Sequence, residues 1–486
     1  MASALTPFQR AEEDINESLE NMAIRDGSFI SESSNFISSQ AIEETIDVAQ
    51  HFHVVNAFDI PKLEYDDFTR TFRKSKSSCN LLSQPREKTE MIRERYVLAK
   101  QRLLRNETFR PAEMSISDSA YFTKITPIKS LIGQDGKDFV LFGMLTQITD
   151  GKLYLEDDDA YIELDVSQSK YGYGLFTDGA FAIVEGTFGE DHIFHVSEIN
   201  LPPAEARDMT DAILNNIDFF GLPKPLVDEN LLKKEERIHE DIFFVIISDV
   251  RLDQPKVLDG LRTMFNEYNN QVPLAIIFIG SFTSKPFTAS SEDVVEYKDK
   301  FNALADLISE YDELATHTNF VFVPGAGDPW GGQILPQSPL PLSFVTRIKQ
   351  KVKKAHFTTN PCRIRYCTQD IVIFREDLLN KILSDTLLPI NLSVDSHRVK
   401  HLIQTILDQG HLYPLSKKPI YWDYDHALRL FPLPHALIIA DKCENYGITY
   451  EGTHCVNPGS FSNSDMSWSI YYPSSQTSTK CSLSGH

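Results

Sequence analysis

The chain has 486 residues and a formal net charge of −22, from 47 basic and 69 acidic side chains. With 42% hydrophobic and 24% charged residues it can bury sizeable cores over roughly two to four domains, which excludes a mainly disordered chain. The acidity excludes a protein that grips nucleic acid through a globally positive surface, because phosphate contacts supply most of that affinity.

The N-terminal stretch MASALTPFQRAEEDINESLE has no apolar run of signal-peptide length, and the longest apolar stretches, such as PLAIIFIG, fall far short of a membrane span. An intracellular chain that does not cross a membrane is expected. Six cysteines without a CxxC pair suit a reducing compartment, and Cys362 and Cys367 read as buried thiols rather than zinc ligands. From Phe8 to Val55 the pattern is helical pieces joined by Ser-rich segments, with Ala41, Ile42, Ile46, Val48 and Ala49 as the apolar stripe. A second helix is expected from Arg86 to Arg105, a solvated charged face over an apolar seam of Met91, Ile92, Tyr96, Val97, Leu98, Leu103 and Leu104.

From Phe139 to Asn200 the period changes to five short β runs, FVLFGMLTQI, KLYLE, YIELDV, FAIVEGTFG and HIFHVS. They are separated by turn residues at Thr149 to Gly151, Asp157 to Asp159 and Gly189 to Asp191. An oligonucleotide-binding (OB) type barrel is the economical reading. Twelve acidic residues face two lysines in this stretch, where a strand-binding groove should be positive, so the barrel is expected to contact protein.

After a connector from Leu201 to Glu240, buried-strand runs alternate with helical patterns: IFFVIIS, a helix near Lys256 to Tyr268, LAIIFIG, a helical stretch from Glu292 to Leu314, and NFVFVPG. Later strands are expected at RIRYC, DIVIF, ALIIAD and HCVNPG, with helices near Glu376 to Leu387 and His397 to Gln409. This is an α/β sandwich on a largely buried sheet. Along it, Arg347 to His356 (RIKQKVKKAH) is the densest basic patch, with Arg347 to Lys354 a candidate contact for phosphate or for an acidic partner. His397 and His401 have the i, i+4 spacing of zinc ligands, but Arg398 follows where a zincin would place its general base. PIYWDYDHALRLFPLPHA, from Pro419 to Ala436, reads as core packing, with an interface anchor as the rival.

The loops after these strands are SDVRLD (Ser248 to Asp253), GSFTS (Gly280 to Ser284), PGAGDP (Pro324 to Pro329), ADKC (Ala440 to Cys443) and VNPGS (Val456 to Ser460). In position they resemble the ligand loops of calcineurin-like metallophosphoesterases, DxH, GDxxD, GNH(D/E) and GHxH. Most ligands are replaced. Asp249 matches the first aspartate, but Arg251 stands at the histidine position, Ser281 and Ser284 at two aspartates, Ala326 and Gly327 at Asn and His, and Asp441 and Cys443 at the last two histidines, while Asp328 survives. A two-metal centre needs several carboxylates and imidazoles, so no catalytic, cofactor-binding or metal-ligating residue is expected. Asp249 beside Arg251 is read as a structural ion pair.

A barrel before a degenerate phosphoesterase domain resembles the B subunits of eukaryotic replicative DNA polymerases, and within them the B subunits of DNA polymerase epsilon. The stretches that carry the resemblance include NAFDIPKLEY (Asn56 to Tyr65), SDVRLDQPKVL, FTTNPCRIRYCTQDIVIFREDLLNKI (Phe357 to Ile382), ILDQGHLYPL and CVNPGSF. It weakens before Ala41, where that family carries a small helical domain. The resemblance implies a nuclear, non-catalytic subunit that holds the cysteine-rich C-terminal domain of the catalytic subunit, joins the other holoenzyme subunits, meets the replicative helicase assembly (GINS) and reaches DNA mainly through the complex. The expected division is residues 1–60, a partial helical region; 61–138, linker and helix; 139–200, the OB-type barrel; 201–240, connector; and 241–486, an inactive phosphoesterase-like domain. The alternative is a residual metal-dependent phosphoesterase using Asp249, Asp328, Asp441 and Cys443.

Overall fold

The computed structural model describes residues 47–483, apart from 67, 111–122, 150, 215–216, 223–226, 331, 333, 393–396, 417–418 and 464. The helical pieces expected from Phe8 onward therefore lie outside the described residues up to position 46. The first described strand, β1 (Phe52–Asn56), is followed by the hairpin β2 (Leu63–Asp66) and β3 (Thr71–Lys74) and by helix α1 (Pro85–Leu103). Pro85 starts α1, where the missing N–H costs nothing, and Lys100 and Arg102 sit in its last turn, where the helix dipole favours cations.

Six strands follow: β4 (Asp138–Thr149), β5 (Lys152–Glu156), β6 (Tyr161–Asp165), β7 (Lys170–Tyr171), β8 (Phe181–Phe188) and β9 (Phe194–Asn200). Their order is β6-β5-β4-β8-β9-β7, and a parallel pairing of β6 with β9 closes the sheet into the expected barrel. Alternation fills its interior: Leu141, Leu145, Leu155, Leu164, Val184 and Phe194 point inward and are buried. On the outer wall Phe142, Phe181 and Ile183 pack with Tyr96, Ala99 and Leu103 of α1. That contact is the apolar seam seen in the sequence, and it places α1 with the barrel rather than in a linker.

Helices α2 (Arg207–Leu214) and α3 (Glu229–Ile238) lead to β10 (Phe244–Ser248), α4 (Pro255–Tyr268), β11 (Ala275–Ile279), α5 (Ser291–Ile308), α6 (Asp312–His317), β12 (Asn319–Val323), α7 (Leu342–Lys351) and β13 (Ala355–Phe357). The chain then forms β14 (Cys362–Tyr366), β15 (Gln369–Arg375), α8 (Leu378–Ser384), α9 (Arg398–Gln409), β16 (Ala436–Ala440), β17 (Tyr446–Tyr450), β18 (Thr453–Asn457), β19 (Ser467–Tyr472) and β20 (Thr477–Ser482). These strands make two six-stranded sheets, β13-β12-β11-β10-β19-β20 and β1-β14-β15-β16-β18-β17. β10 to β13 run parallel, as do β15, β16 and β18.

Continuous apolar strands are explained by burial on both faces. In β10, Phe244 and Ile246 face the other sheet while Val245 and Ile247 face the helices. Ile364, Ile371, Ile373 and Ile438 complete the layer between the sheets, α4, α5 and α7 cover one outer face, and α8 and α9 cover the other. The expected α/β sandwich is thus a four-layer α/β/β/α domain. One strand differs from the expected division: β1, placed in the N-terminal region by sequence, pairs antiparallel with β14 from Phe52↔Tyr366 to Asn56↔Cys362. Its short run FHVVN offered no periodicity from which a pairing 310 residues away at its centre (Val54↔Ile364) could be read.

Barrel and sandwich meet along α9. His401 Nδ1 accepts from the Gly174 N–H (3.1 Å), Thr405 Oγ1 from the Leu175 N–H (2.8 Å), and the Gln409 amide makes both hydrogen bonds with the Phe181 backbone (2.8 and 2.9 Å). The i, i+4 histidine pair is therefore divided in purpose: His401 is fully buried in this junction, and His397 precedes the helix.

Candidate functional site

The loops that resemble a phosphoesterase site all follow the C-terminal ends of β10, β11, β12, β16 and β18, where α/β sheets place ligand groups. Three of them meet at Arg375, the last residue of β15 and only 8% exposed. Its Nε donates to the Gly280 carbonyl (2.8 Å), its Nη1 to the Ala440 carbonyl (2.8 Å) and Asp377 (2.9 Å), and its Nη2 to Asp249 (3.1 Å). One guanidinium thus ties together three of the five loops. Burial opposes its charge, but Asp249 and Asp377 prevail and hold its pKa above the ordinary value. The expected pairing of Asp249 with Arg251 is corrected. Asp249 occupies a left-handed turn (φ 54°), and its carboxylate reaches across the sandwich to Arg375, a partner 126 residues distant.

The other retained groups are also engaged by the chain. Asp328, 3% exposed, accepts from the N–H groups of Phe282 and Gly325 (both 2.8 Å) and from the Tyr297 hydroxyl (3.1 Å). Burial pushes its carboxyl up to about 6 against those donors. A Cβ at Gly280 would lie 2.0 Å from Asp328 Oδ2, so the glycine is what admits this carboxylate. Asp441 accepts from the N–H groups of Leu379 (2.8 Å), at the start of α8, and Lys442 (2.6 Å), and burial raises its pKa. Asn457 donates to the Cys443 sulfur (3.2 Å) and carbonyl (3.0 Å), and burial pushes the thiol up to about 12. Ser284 Oγ accepts from Gln254 (2.9 Å). Among the described residues no three His, Cys, Asp or Glu side chains are grouped to hold a metal ion. Asp249, Asp328, Asp441 and Cys443 are therefore not gathered into one ligand set.

The sequence missed Arg375 as the centre of this site. The available signal was an arginine ending an otherwise apolar strand, DIVIFR, in a sheet whose neighbouring loops carry carboxylates.

The other features singled out in the sequence also find partners within the chain. Asp306 holds Arg347 (2.7 Å) and Lys351 (2.6 Å), Lys349 lies over the Phe357 ring, and Lys354 Nζ donates to the His317 carbonyl (3.1 Å). Cys362 and Cys367 are buried, with thiols each pushed up to about 12 by burial. In the Pro419 to Ala436 stretch, Phe431 packs against Phe72 and Phe219, and Tyr424 meets Phe58 edge to face. Core packing is the outcome there.

That stretch also carries a buried charge cluster. Asp425, 2% exposed, accepts from Arg95 of α1 (3.0 and 2.5 Å). It also accepts from His411 Nε2 (3.1 Å), whose Nδ1 takes the Tyr413 N–H (3.0 Å), which assigns the neutral ring. Burial lowers His411, His426 and His435 each to about 4. Between pH 6.5 and 4 the unfolded chain takes up protons at these three rings that the folded chain refuses. Asp328 and Asp408, raised by burial to about 6 and about 7, act in the opposite sense. Burial also lowers His53, His356 and His454 and raises Asp441 and Glu236. Six histidines against four carboxyls leave the unfolded state binding more protons, so stability is expected to fall by about 1–3 kcal/mol on acidification from pH 6.5 to 4. Urea midpoints measured across that interval would show it, and a midpoint that rises toward acid would contradict it.

Comparison with known proteins agrees with this architecture. A family model for the B subunit of DNA polymerase alpha/epsilon matches residues 244–447, from β10 into β17, and one described as "DNA polymerase epsilon subunit 2-like, OB-fold domain" matches residues 85–203, from α1 to the end of the barrel. The Homo sapiens protein "DNA polymerase epsilon subunit 2" is 40% identical over 461 residues, covering 92% of this chain and 86% of its own. The B subunit of DNA polymerase epsilon from Schizosaccharomyces pombe is 36% identical over 445 residues (87% and 75%), and that from Arabidopsis thaliana 36% over 446 residues (90% and 84%). A solved archaeal phosphodiesterase aligns with 50% of this chain and 99% of its own at 11% identity and a TM-score of 0.27, a likeness too slight to bear on function. Family models that match both the barrel and the sandwich, together with 40% identity over 92% of this chain and 86% of a relative, lead to one assignment: the chain belongs to the family of DNA polymerase epsilon B subunits.

Proposed function

We propose that the chain is a non-catalytic accessory subunit of DNA polymerase epsilon that acts in the nucleus through its surfaces. In this reading the barrel and sandwich form the body that holds the cysteine-rich C-terminal domain of the catalytic subunit. It joins the other holoenzyme subunits and helps bring the polymerase to the replicative helicase assembly, with DNA reached mainly through the complex. The observation that carries the non-catalytic part is Arg375: a guanidinium bonded to Asp249, Gly280 and Ala440 gives the loops an internal cation that cannot activate water as a metal does. An interface larger than about 1,000 Å² would suit a stable subunit contact, and the acidity of the chain suits a partner that supplies the DNA groove.

Co-purification with the C-terminal domain of a polymerase epsilon catalytic subunit is expected to yield a one-to-one complex by light scattering. Two folded chains that fail to associate would overturn the scaffold reading. Hydrolysis of a generic phosphodiester in added divalent metal, lost in Asp249→Ala, would instead favour the residual phosphoesterase.

A further inference from the structure

We propose that a small cavity between α1, the barrel and the C-terminal end of α9 binds one monovalent anion of halide size, with chloride the occupant in the cell. Three arginines, Arg95, Arg102 and Arg429, line the cavity, and no aspartate or glutamate does. Such a wall repels cations and lowers the energy of an anion. The volume is about 20 Å³, room for a particle the size of one water and too little for a phosphate. Apolar groups, Phe181 among them, make up much of the remaining wall.

Arg102 is the side chain that needs the anion. Arg95 is committed to Asp425, and Arg429 donates to Glu94. Arg102 is 5% exposed, and its Nη2 donates to the Asp408 carbonyl (2.8 Å) at the end of α9. Its Nη1 is fully buried without a hydrogen-bond partner among the described residues. Two carboxyls act on Arg102 from nearby and both are engaged elsewhere: Glu205 is taken by Arg105 through two bonds of 2.7 Å, and Asp408 accepts from the Tyr450 hydroxyl (2.9 Å) and the Ala204 N–H (3.1 Å). A buried donor on a buried charge is costly to leave unsatisfied, and an anion answers both deficits where a water answers only the hydrogen bond. Gly410 makes the space: a Cβ there would lie 2.7 Å from Nη1. The bound anion would pin α1 to the barrel and to α9 together.

The deciding experiment is diffraction from crystals of the unaltered full chain soaked in bromide. An anomalous peak beside Arg102 Nη1 is expected. Absence of that peak, with ordinary water density in its place, would overturn the proposal. In solution, the melting temperature is expected to rise and saturate with chloride but not with gluconate at equal ionic strength. The chloride-specific shift should vanish in a folded Arg102→Met variant, and its persistence there would also count against the site.

Discussion

Replacing Arg375 with methionine is expected to destabilise the chain by about 3–5 kcal/mol, because it strands a buried carboxylate and removes the tie between three loops. The guanidinium serves four acceptors, Gly280, Ala440, Asp377 and Asp249, and methionine keeps much of the volume while donating to none. Asp249 is 3% exposed, so its charge would be left in a poorly solvated pocket. The urea midpoint should fall with little change in slope. Adding Asp249→Asn should recover part of the loss, since the second change removes the stranded charge, and the double-mutant cycle isolates that pair. A loss below about 1 kcal/mol, the size expected of an exposed ion pair, would mean that the loops hold their positions without the arginine.

Asp425→Ala carries the second large effect, again about 3–5 kcal/mol. The carboxylate lies between Arg95, His411 and Arg429, with the Arg429 Nε 3.7 Å away. Burial alone would raise its pKa, but Arg95 and His411 hold it well below the usual carboxylate range. Its stabilising charge is thus present at neutral pH and lost only under strong acid. Without it, Arg95 loses its carboxylate and Arg429 keeps only that of Glu94, beside a cavity that both line together with Arg102. The loss should be concentrated where α1 meets the Trp422–Leu428 turn, so amide exchange along α1 should accelerate more than exchange in β10 or β11. Equal acceleration in both places would show that the cluster supports global stability rather than the docking of α1. The smaller Asp425→Asn change keeps an acceptor for Arg95 and should lose less.

Much of the architecture was legible because it depends on local pattern. The helix expected from Arg86 to Arg105 is α1, Pro85–Leu103, and the five β runs from Phe139 to Asn200 reappear as the long strands of the barrel. The apolar runs IFFVIIS and LAIIFIG form β10 and β11, buried throughout. Side-chain period reports whether a segment has one buried face or two, and it does so without knowledge of the partner. The serine, alanine and glycine at the loop positions where a phosphoesterase keeps its ligands were read in the same way, from short motifs.

Partner choice was another matter. Asp249 has an arginine two residues away and pairs with one 126 residues away. β1 gave no sign that it would extend the second sheet, and His401 had the spacing of a zinc ligand but accepts a hydrogen bond from the barrel. Sequence by itself determined the segments, their buried faces, the acid excess and the family resemblance, because each is written in residue type and spacing over short windows. Tertiary structure alone decided which charges meet: that Arg375 closes the loops, that Asp425 docks α1, and that Arg102 faces a cavity without a carboxylate. The physical reason is that a buried charge must find its counter-charge wherever the packed chain places one, and contact in space carries no signature in sequence distance.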